Sequence, residues 1–135
     1  MSIQTRYSFG TRLAGSVADV RPAVEAALKA EGFGVLTEID VAATMKAKLG
    51  ADMPPYVILG ACNPPLAHRA VTAEPSIGTL LPCNVILRAD GEATIVEAMD
   101  PAAAMAMSDS AEIAAVATDV RSRLERVIGA LEAAG

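Results

Sequence analysis

The hydrophobic and polar positions of the chain follow two periods, one typical of strands and one typical of helices. Over residues 3–13 the two classes alternate, which predicts one half-buried strand. Residues 33–39 predict a second strand. Tyr56–Cys62 is apolar throughout, which predicts a strand covered on both faces at the centre of the sheet.

Two more strands are predicted near the end of the chain, over residues 80–88 and 93–99. Asp90-Gly91 lies between them and is a strong signal for a hairpin turn. Pro82 has no backbone N–H to donate, so it predicts an edge position or a bulge.

Apolar residues spaced by three and four predict four helices. Ser16 or Asp19 can cap the first helix, and Pro22 fits this helix only in its first turn. Asp40 can cap a second helix that Gly50 ends, and Asn63 can cap a third. The predicted buried stripes are Val17, Val20, Val24 and Leu28 in the first helix, and Val41, Met45 and Leu49 in the second.

The third helix is predicted to run to about Glu74, just before a proline. Asp109 and Glu112 resemble the capping box of a long final helix. We expect the apolar stripe of this helix to cover its own sheet. That stripe consists of Ile113, Ala117, Val120, Leu124, Val127 and Leu131.

The predicted order of elements is β-α-β-α-β-α-β-β-α, with short connections. This order favours an α+β fold with one sheet and one layer of helices, in a single domain over residues 1–135. A parallel, doubly wound sheet is the alternative.

Composition and charge narrow the function classes. The net charge of −5 repels phosphate backbones, and only four aromatic residues are present, so we expect no nucleic-acid partner. The longest apolar run is far shorter than the roughly 20 residues of a membrane helix, and the N-terminus does not resemble a secretory signal. We therefore expect a cytoplasmic protein. No phosphate loop or dinucleotide fingerprint appears, so no cofactor is predicted.

Two Cys-Asn pairs are the main candidates for chemistry. Cys62 ends an apolar strand and precedes Asn63, whose helix could lower the thiol pKa or hold an anion with its N-terminal amides. The alternative is that Cys62 is a small buried residue, and this alternative is stronger for Cys83. Asn63 has a sufficient role as a helix cap, whereas Asn84 has none, so Asn84 is the better candidate for ligand contact.

Two charged residues are weaker candidates. Lys46 could bind an anion or form an imine, and Glu38 is a carboxylate between apolar neighbours in a strand. Either could line a pocket, although a solvated surface position is the simpler interpretation of most charges in this region. No metal ligands are predicted, because His68 is the only histidine and a closed zinc site needs four ligands.

Three segments carry a resemblance to a known family: residues 32–41, Gly-Phe-Gly-Val-Leu-Thr-Glu-Ile-Asp-Val; residues 56–64, Tyr-Val-Ile-Leu-Gly-Ala-Cys-Asn-Pro; and residues 80–85, Leu-Leu-Pro-Cys-Asn-Val. In this order and spacing they resemble the domain-of-unknown-function family 302, over nearly the whole chain. The resemblance implies a compact α+β fold with a curved, largely antiparallel sheet, often found as a dimer. It implies no reaction.

Three functions are compatible with these observations. The first is a dimeric binding module for a small molecule, with anions among the candidates, held near Cys62, Asn63, Cys83 and Asn84. The second is a thiol-dependent redox or metal-handling enzyme that uses Cys62 and Cys83. The third is a structural homodimer, for which the final helix could supply the interface.

Overall fold

The computed structural model describes residues 2–135 and contains one six-stranded sheet. Its strands are β1 Ser2–Gln4, β2 Ser8–Ala14, β3 Gly34–Asp40, β4 Tyr56–Cys62, β5 Cys83–Asp90 and β6 Ala93–Met99. The order across the sheet is β1-β2-β6-β5-β4-β3, and every neighbouring pair is antiparallel. The predicted α+β class with a largely antiparallel sheet is therefore confirmed, and the doubly wound alternative is wrong.

The helices lie mainly on one face of this sheet. They are α1 Val17–Ala30, α2 Val41–Leu49, α3 Pro64–Ala73, α4 Pro101–Ala104 and α5 Ala111–Ala134, with short 3-10 turns at Pro75–Leu80 and Met105–Met107. Helices α1 and α5 contact the sheet and each other, and α3 packs against α5. We call the sheet face under α1 and α5 the covered face, and the opposite one the open face.

The core lies between the covered face and the helices. Val57, Leu59 and Ala61 of β4 are buried there, because alternate residues of a strand point to the same face. The predicted stripes of α1 and α5 are buried throughout, and Leu28 and Leu124 have no exposed surface. The final helix therefore covers its own sheet, as its stripe predicted, and this stripe is not available as a dimer interface.

The helix caps were partly predictable. Ser16 and Asp19 form a reciprocal capping box at the start of α1, and Asp40 caps α2 through the backbone N–H of Ala43. The cap of α5 is Ser110 rather than the predicted Asp109. Pro22 lies inside α1, beyond its first turn, where it removes one backbone donor from the helix.

Three predicted local features are wrong. Residues 3–13 form a hairpin rather than one strand, because the Thr5 side chain accepts hydrogen bonds from the backbone N–H groups of Tyr7 and Ser8 and turns the chain. The predicted central strand β4 is second from the edge of the sheet, between β5 and β3. Pro82 precedes the interior strand β5 instead of lying in an edge strand, and the register shift of the sheet lies in β3, between Val35 and Thr37.

Helix α2 and strand β3 differ most from the predicted burial. The bounds of α2 agree with the prediction, but none of its residues is buried, and Leu49 of the predicted stripe is 73% exposed. Strand β3 is an edge strand, and all seven of its residues are exposed. This edge of the sheet therefore has no cover from the described residues.

Candidate functional site

The alternation of side chains along β5 separates the two Cys-Asn pairs. Cys83 pairs with Ala61 across the sheet and lies on the covered face, so Asn84 must project from the open face. Cys62, Asn63 and Cys83 line one cavity, while Asn84 lines a groove on the other side of the sheet. The four residues therefore do not share one hollow, contrary to the prediction.

The first hollow lies where β4 passes into α3, and we call it the end cavity. Its volume is about 280 Å³. Helices α3 and α5, strand β4 and the segment before β5 surround it. It is lined by Phe33, Leu36, Ala61, Cys62, Asn63, Leu66, Ala67, Ala70, Leu81, Pro82, Cys83, Met105, Val116 and Val120. The only polar side chains among these are two thiols and one amide.

The thiols of the end cavity are in an environment that disfavours their ionisation. Both cysteines are free. Burial raises the pKa of Cys62 above its ordinary value, and burial together with the nearby Cys62 thiol raises the pKa of Cys83 to about 11. The Cys62 pKa is therefore raised rather than lowered as predicted, because burial removes hydration from the thiolate.

The N-terminus of α3 offers no free amides to an anion. Pro64 and Pro65 have no N–H group. The N–H of Leu66 donates to Asn63 Oδ1 at 3.3 Å, and the N–H of Ala67 donates to the backbone oxygen of Asn63 at 2.9 Å. The first four helical positions are thus without a donor or already paired, so the usual anion site of a helix terminus is closed.

Asn63 has a structural role on both sides of its amide. Its oxygen caps α3, and its Nδ2 donates to the backbone oxygen of Glu31 at 3.4 Å. Arg123 Nη1 donates to the same oxygen at 3.1 Å, which links the end of α1 to α5. Gly32 allows this approach, because a Cβ there would lie 2.9 Å from Asn63 Nδ2. Asn63 therefore lines the end cavity, but its side-chain amide is already hydrogen-bonded within the protein.

The two charged candidates lie away from the end cavity. The Glu38 carboxylate accepts two hydrogen bonds from Arg21 of α1, from Nη1 at 2.5 Å and from Nη2 at 2.7 Å. This bidentate ion pair lowers the pKa of Glu38. Lys46 lies on α2 and donates to Asp52 at 2.9 Å in an exposed pair. Glu38 ties β3 to α1, and neither residue lines the cavity that contains the thiols.

A polar cluster on the open face was not predicted from the sequence. Glu97 is only 7% exposed. Its carboxylate accepts from Arg88 Nε at 2.9 Å and from Ser8 Oγ at 3.1 Å. The Ser8 and Thr5 hydroxyl oxygens are 2.7 Å apart, which extends the cluster to the N-terminal hairpin. The signal in the sequence was a single charged residue in the mostly apolar strand β6.

This cluster forms part of a groove on the open face, which we call the open-face groove. Its volume is about 680 Å³. Asn84, the fourth predicted ligand contact, is exposed in this groove. Tyr7 and Tyr56 lie along its sides.

Residues 2–135 contain no group of three or more His, Cys, Asp or Glu side chains placed to hold a metal ion. Within the same residues, the helices are too short or too polar to cross a membrane.

The fold defines a small α+β protein with a six-stranded antiparallel sheet, whose helix layer leaves one face open. The sequence model described as "Domain of unknown function DUF302" matches residues 9–131, so the chain belongs to the DUF302 family. The chain is also similar to the crystal structure of an uncharacterized conserved DUF302 protein from Bacillus stearothermophilus. The TM-score is 0.85 at 26% sequence identity, over 93% of this chain and 98% of that one. The curated proteins include no match.

Proposed function

We propose that the protein is a binding module and that its ligand is a small, largely apolar molecule held in the end cavity. The observation that carries this proposal is a preformed hollow of about 280 Å³ with almost entirely apolar walls. Small-molecule sites are typically concave and apolar, with a few polar groups that orient the ligand. Cys62 and Cys83 are the polar groups able to do so here.

The chemistry of the walls favours a neutral ligand over an anion. Among residues 2–135, no Arg or Lys side chain lines the end cavity. The amides at the start of α3 are absent or paired, as described above. A charged group in such surroundings would lose its hydration without a compensating partner, which costs several kcal/mol in practice.

The proposal predicts that neutral aromatic probes stabilise the protein. With toluene or indole well above its dissociation constant, we expect the melting temperature to rise by several degrees, since a hundredfold excess contributes about 2.7 kcal/mol. The substitution Ala67→Leu should abolish the rise, because half-buried Ala67 lines the cavity. Thermal unfolding with and without each probe measures the effect.

The control for this experiment is Ala115→Leu, which adds the same side chain to an exposed position of α5. This variant should respond to the probes as the unmodified protein does. Equal stabilisation of the Ala67→Leu variant, or no stabilisation by any neutral probe, would contradict the proposed site.

We also propose that the protein forms a homodimer through the edge of β3. Leu36 is 66% exposed and Ile39 49% exposed on a strand whose outer backbone groups have no strand partner among the described residues. Such an edge is a template for pairing with another chain, and a two-fold axis lets the same edge serve both copies. Leu36 also lines the end cavity, so a second copy at this edge would cover the cavity mouth.

The dimer proposal predicts that Leu36→Lys gives a monomer at concentrations at which the unmodified protein is a dimer. A charge on each side of a two-fold interface adds repulsion and removes apolar burial. Sedimentation velocity measures the change. Met107→Lys is the matched control, because Met107 is an exposed apolar residue in a 3-10 turn outside β3. A monomeric unmodified protein, or equal dissociation of both variants, would overturn the interface.

The thiol-dependent alternative has less support. A catalytic or redox cysteine needs a thiolate, whereas burial raises the pKa of both cysteines. Cys62 and Cys83 line the same cavity, and both are free thiols. Two free thiols suit a reducing compartment, so we propose a cytoplasmic location.

A further inference from the structure

The open-face groove contains a guanidinium group that is held in place before any ligand arrives. Arg88 Nε donates to Glu97 at 2.9 Å, and Glu97 is itself held by Ser8. The buried carboxylate therefore fixes the plane of the guanidinium. The two terminal nitrogens of Arg88 have no partner among residues 2–135, and the side chain is 36% exposed. A fixed fork of N–H groups is suited to a planar, two-oxygen anion.

The charge around Arg88 limits how much negative charge the groove can accept. Arg88 and Glu97 together are neutral, and the whole chain carries a net charge of −5. A dianionic phosphate would face the Glu97 carboxylate, and the part of the chain that the structure describes places no second cation in the groove. A monocarboxylate needs only one N–H from each terminal nitrogen of Arg88. The local charge thus favours a carboxylate over a phosphate.

The groove also has a length and an apolar floor. Arg88 and Asn84 lie four residues apart on β5, so both project from the open face about 13 Å apart along the strand. Ile86 lies between them on the same face, and Met99 of β6 also lines the groove. The Asn84 amide has no hydrogen-bond partner among the described residues.

We propose that the open-face groove binds an elongated organic monocarboxylate, with the carboxylate on Arg88, the apolar body along Ile86 and Met99, and the far end at Asn84. This site lies on the opposite side of the sheet from the end cavity. Its ligand class follows from the fixed guanidinium, the neutral ion pair and the apolar floor.

Calorimetric titration with octanoate, decanoate and dodecanoate tests the site, with decanol as a neutral probe of matched length. We expect the affinity to rise with chain length while the apolar body fills the groove. Decanol should bind at least about tenfold more weakly than decanoate, because a hydroxyl cannot form the charge-assisted hydrogen bonds that a carboxylate forms with Arg88. Equal binding of decanol and decanoate, or no binding of any carboxylate, would overturn the proposal.

Variants of two arginines on the open face, Arg88 and Arg12, test which of them binds the carboxylate. Arg88→Gln should weaken decanoate binding about tenfold or more. Arg12→Gln is the control, because Arg12 also lies on the open face but pairs with Asp90 outside the groove. Since Arg88→Gln leaves Glu97 buried without its cation, the double variant Arg88→Gln/Glu97→Gln removes both charges and should lose binding equally. Unchanged affinity in the folded double variant would overturn the role of Arg88.

The Ala67→Leu variant distinguishes this site from the end cavity. It should bind decanoate with unchanged affinity, because Ala67 lies in the end cavity. Decanoate binding that is lost in Ala67→Leu and kept in Arg88→Gln would overturn the open-face site, and it would show that the end cavity accepts a carboxylate. If the Ala67→Leu variant no longer binds the aromatic probes but still binds decanoate, the result supports both sites.

Discussion

The substitution Gly10→Ala is expected to lower the free energy of unfolding by about 3 kcal/mol or more, near the upper end for overpacking of a core. A Cβ at Gly10 would lie 2.0 Å from the backbone oxygen of Val96 and 2.8 Å from Cα of Glu97. Both contacts are with the backbone of the neighbouring strand β6, which cannot move aside as a flexible side chain does. Urea unfolding monitored by circular dichroism measures the loss.

Gly34→Ala is the matched control for this prediction. Gly34 also lies in a strand, but a Cβ there meets nothing within 4 Å. Its replacement should change stability by less than about 1 kcal/mol, since alanine lowers the entropy of the unfolded chain without a clash. Similar losses in the two variants would show that the close approach of β2 and β6 at Gly10 is not the cause.

Gly10 also explains how a glutamate can be buried on the uncovered face of a sheet. A Cβ at this position would lie 2.9 Å from Glu97 Cγ, so the missing side chain leaves the space in which the Glu97 stem lies. The carboxylate then reaches Ser8 on β2 and Arg88 on β5. Gly10→Ala should therefore weaken carboxylate binding at Arg88 as well as stability.

The local elements of the fold were largely predictable because they are encoded by neighbouring residues. Helix α2 begins after Asp40 because an aspartate oxygen can cap the first turn of a helix. It ends at Gly50 because glycine readily adopts the left-handed conformation that follows the last turn, here with φ of 65°. The spacing of apolar residues by three and four predicted the buried stripes of α1 and α5, because residues at this spacing lie on one face of a helix. The bend at Thr5 was missed because its hydroxyl interrupts a strand without breaking the alternation.

What covers each element depends on distant residues and could not be predicted from local periods. The stripe Val41, Met45 and Leu49 has the spacing of a buried helix face, yet α2 lies beside the edge strand β3 and has no partner layer. The same limit applies to the candidate sites. Alternation alone separates Cys83 from Asn84, but only the pairing of β2, β6 and β5 brings Ser8, Glu97 and Arg88 together.

Cys83 is expected to make stability depend on pH in the alkaline range. Its pKa is about 11 in the folded protein, against an ordinary value of 9.0 for an unfolded chain. Below pH 9 the thiol is protonated in both states. Above pH 9 the unfolded chain releases the proton first, so the free energy of unfolding falls as the pH rises and levels off above pH 11. The total loss is about 3 kcal/mol, since each pH unit corresponds to about 1.4 kcal/mol.

The difference in unfolding free energy between the unmodified protein and Cys83→Ala isolates this effect from everything that the two proteins share. Urea unfolding at pH 8 and pH 10.5 should show that this difference shifts by about 2 kcal/mol in favour of the variant, whatever the cost of the smaller side chain at pH 8. The corresponding difference for Cys62→Ala should shift less between the two pH values, because Cys62 is only partly buried. If the difference in unfolding free energy for Cys83→Ala is the same at pH 8 and pH 10.5, water reaches this thiol. The end cavity would then be open to solvent where it meets the sheet.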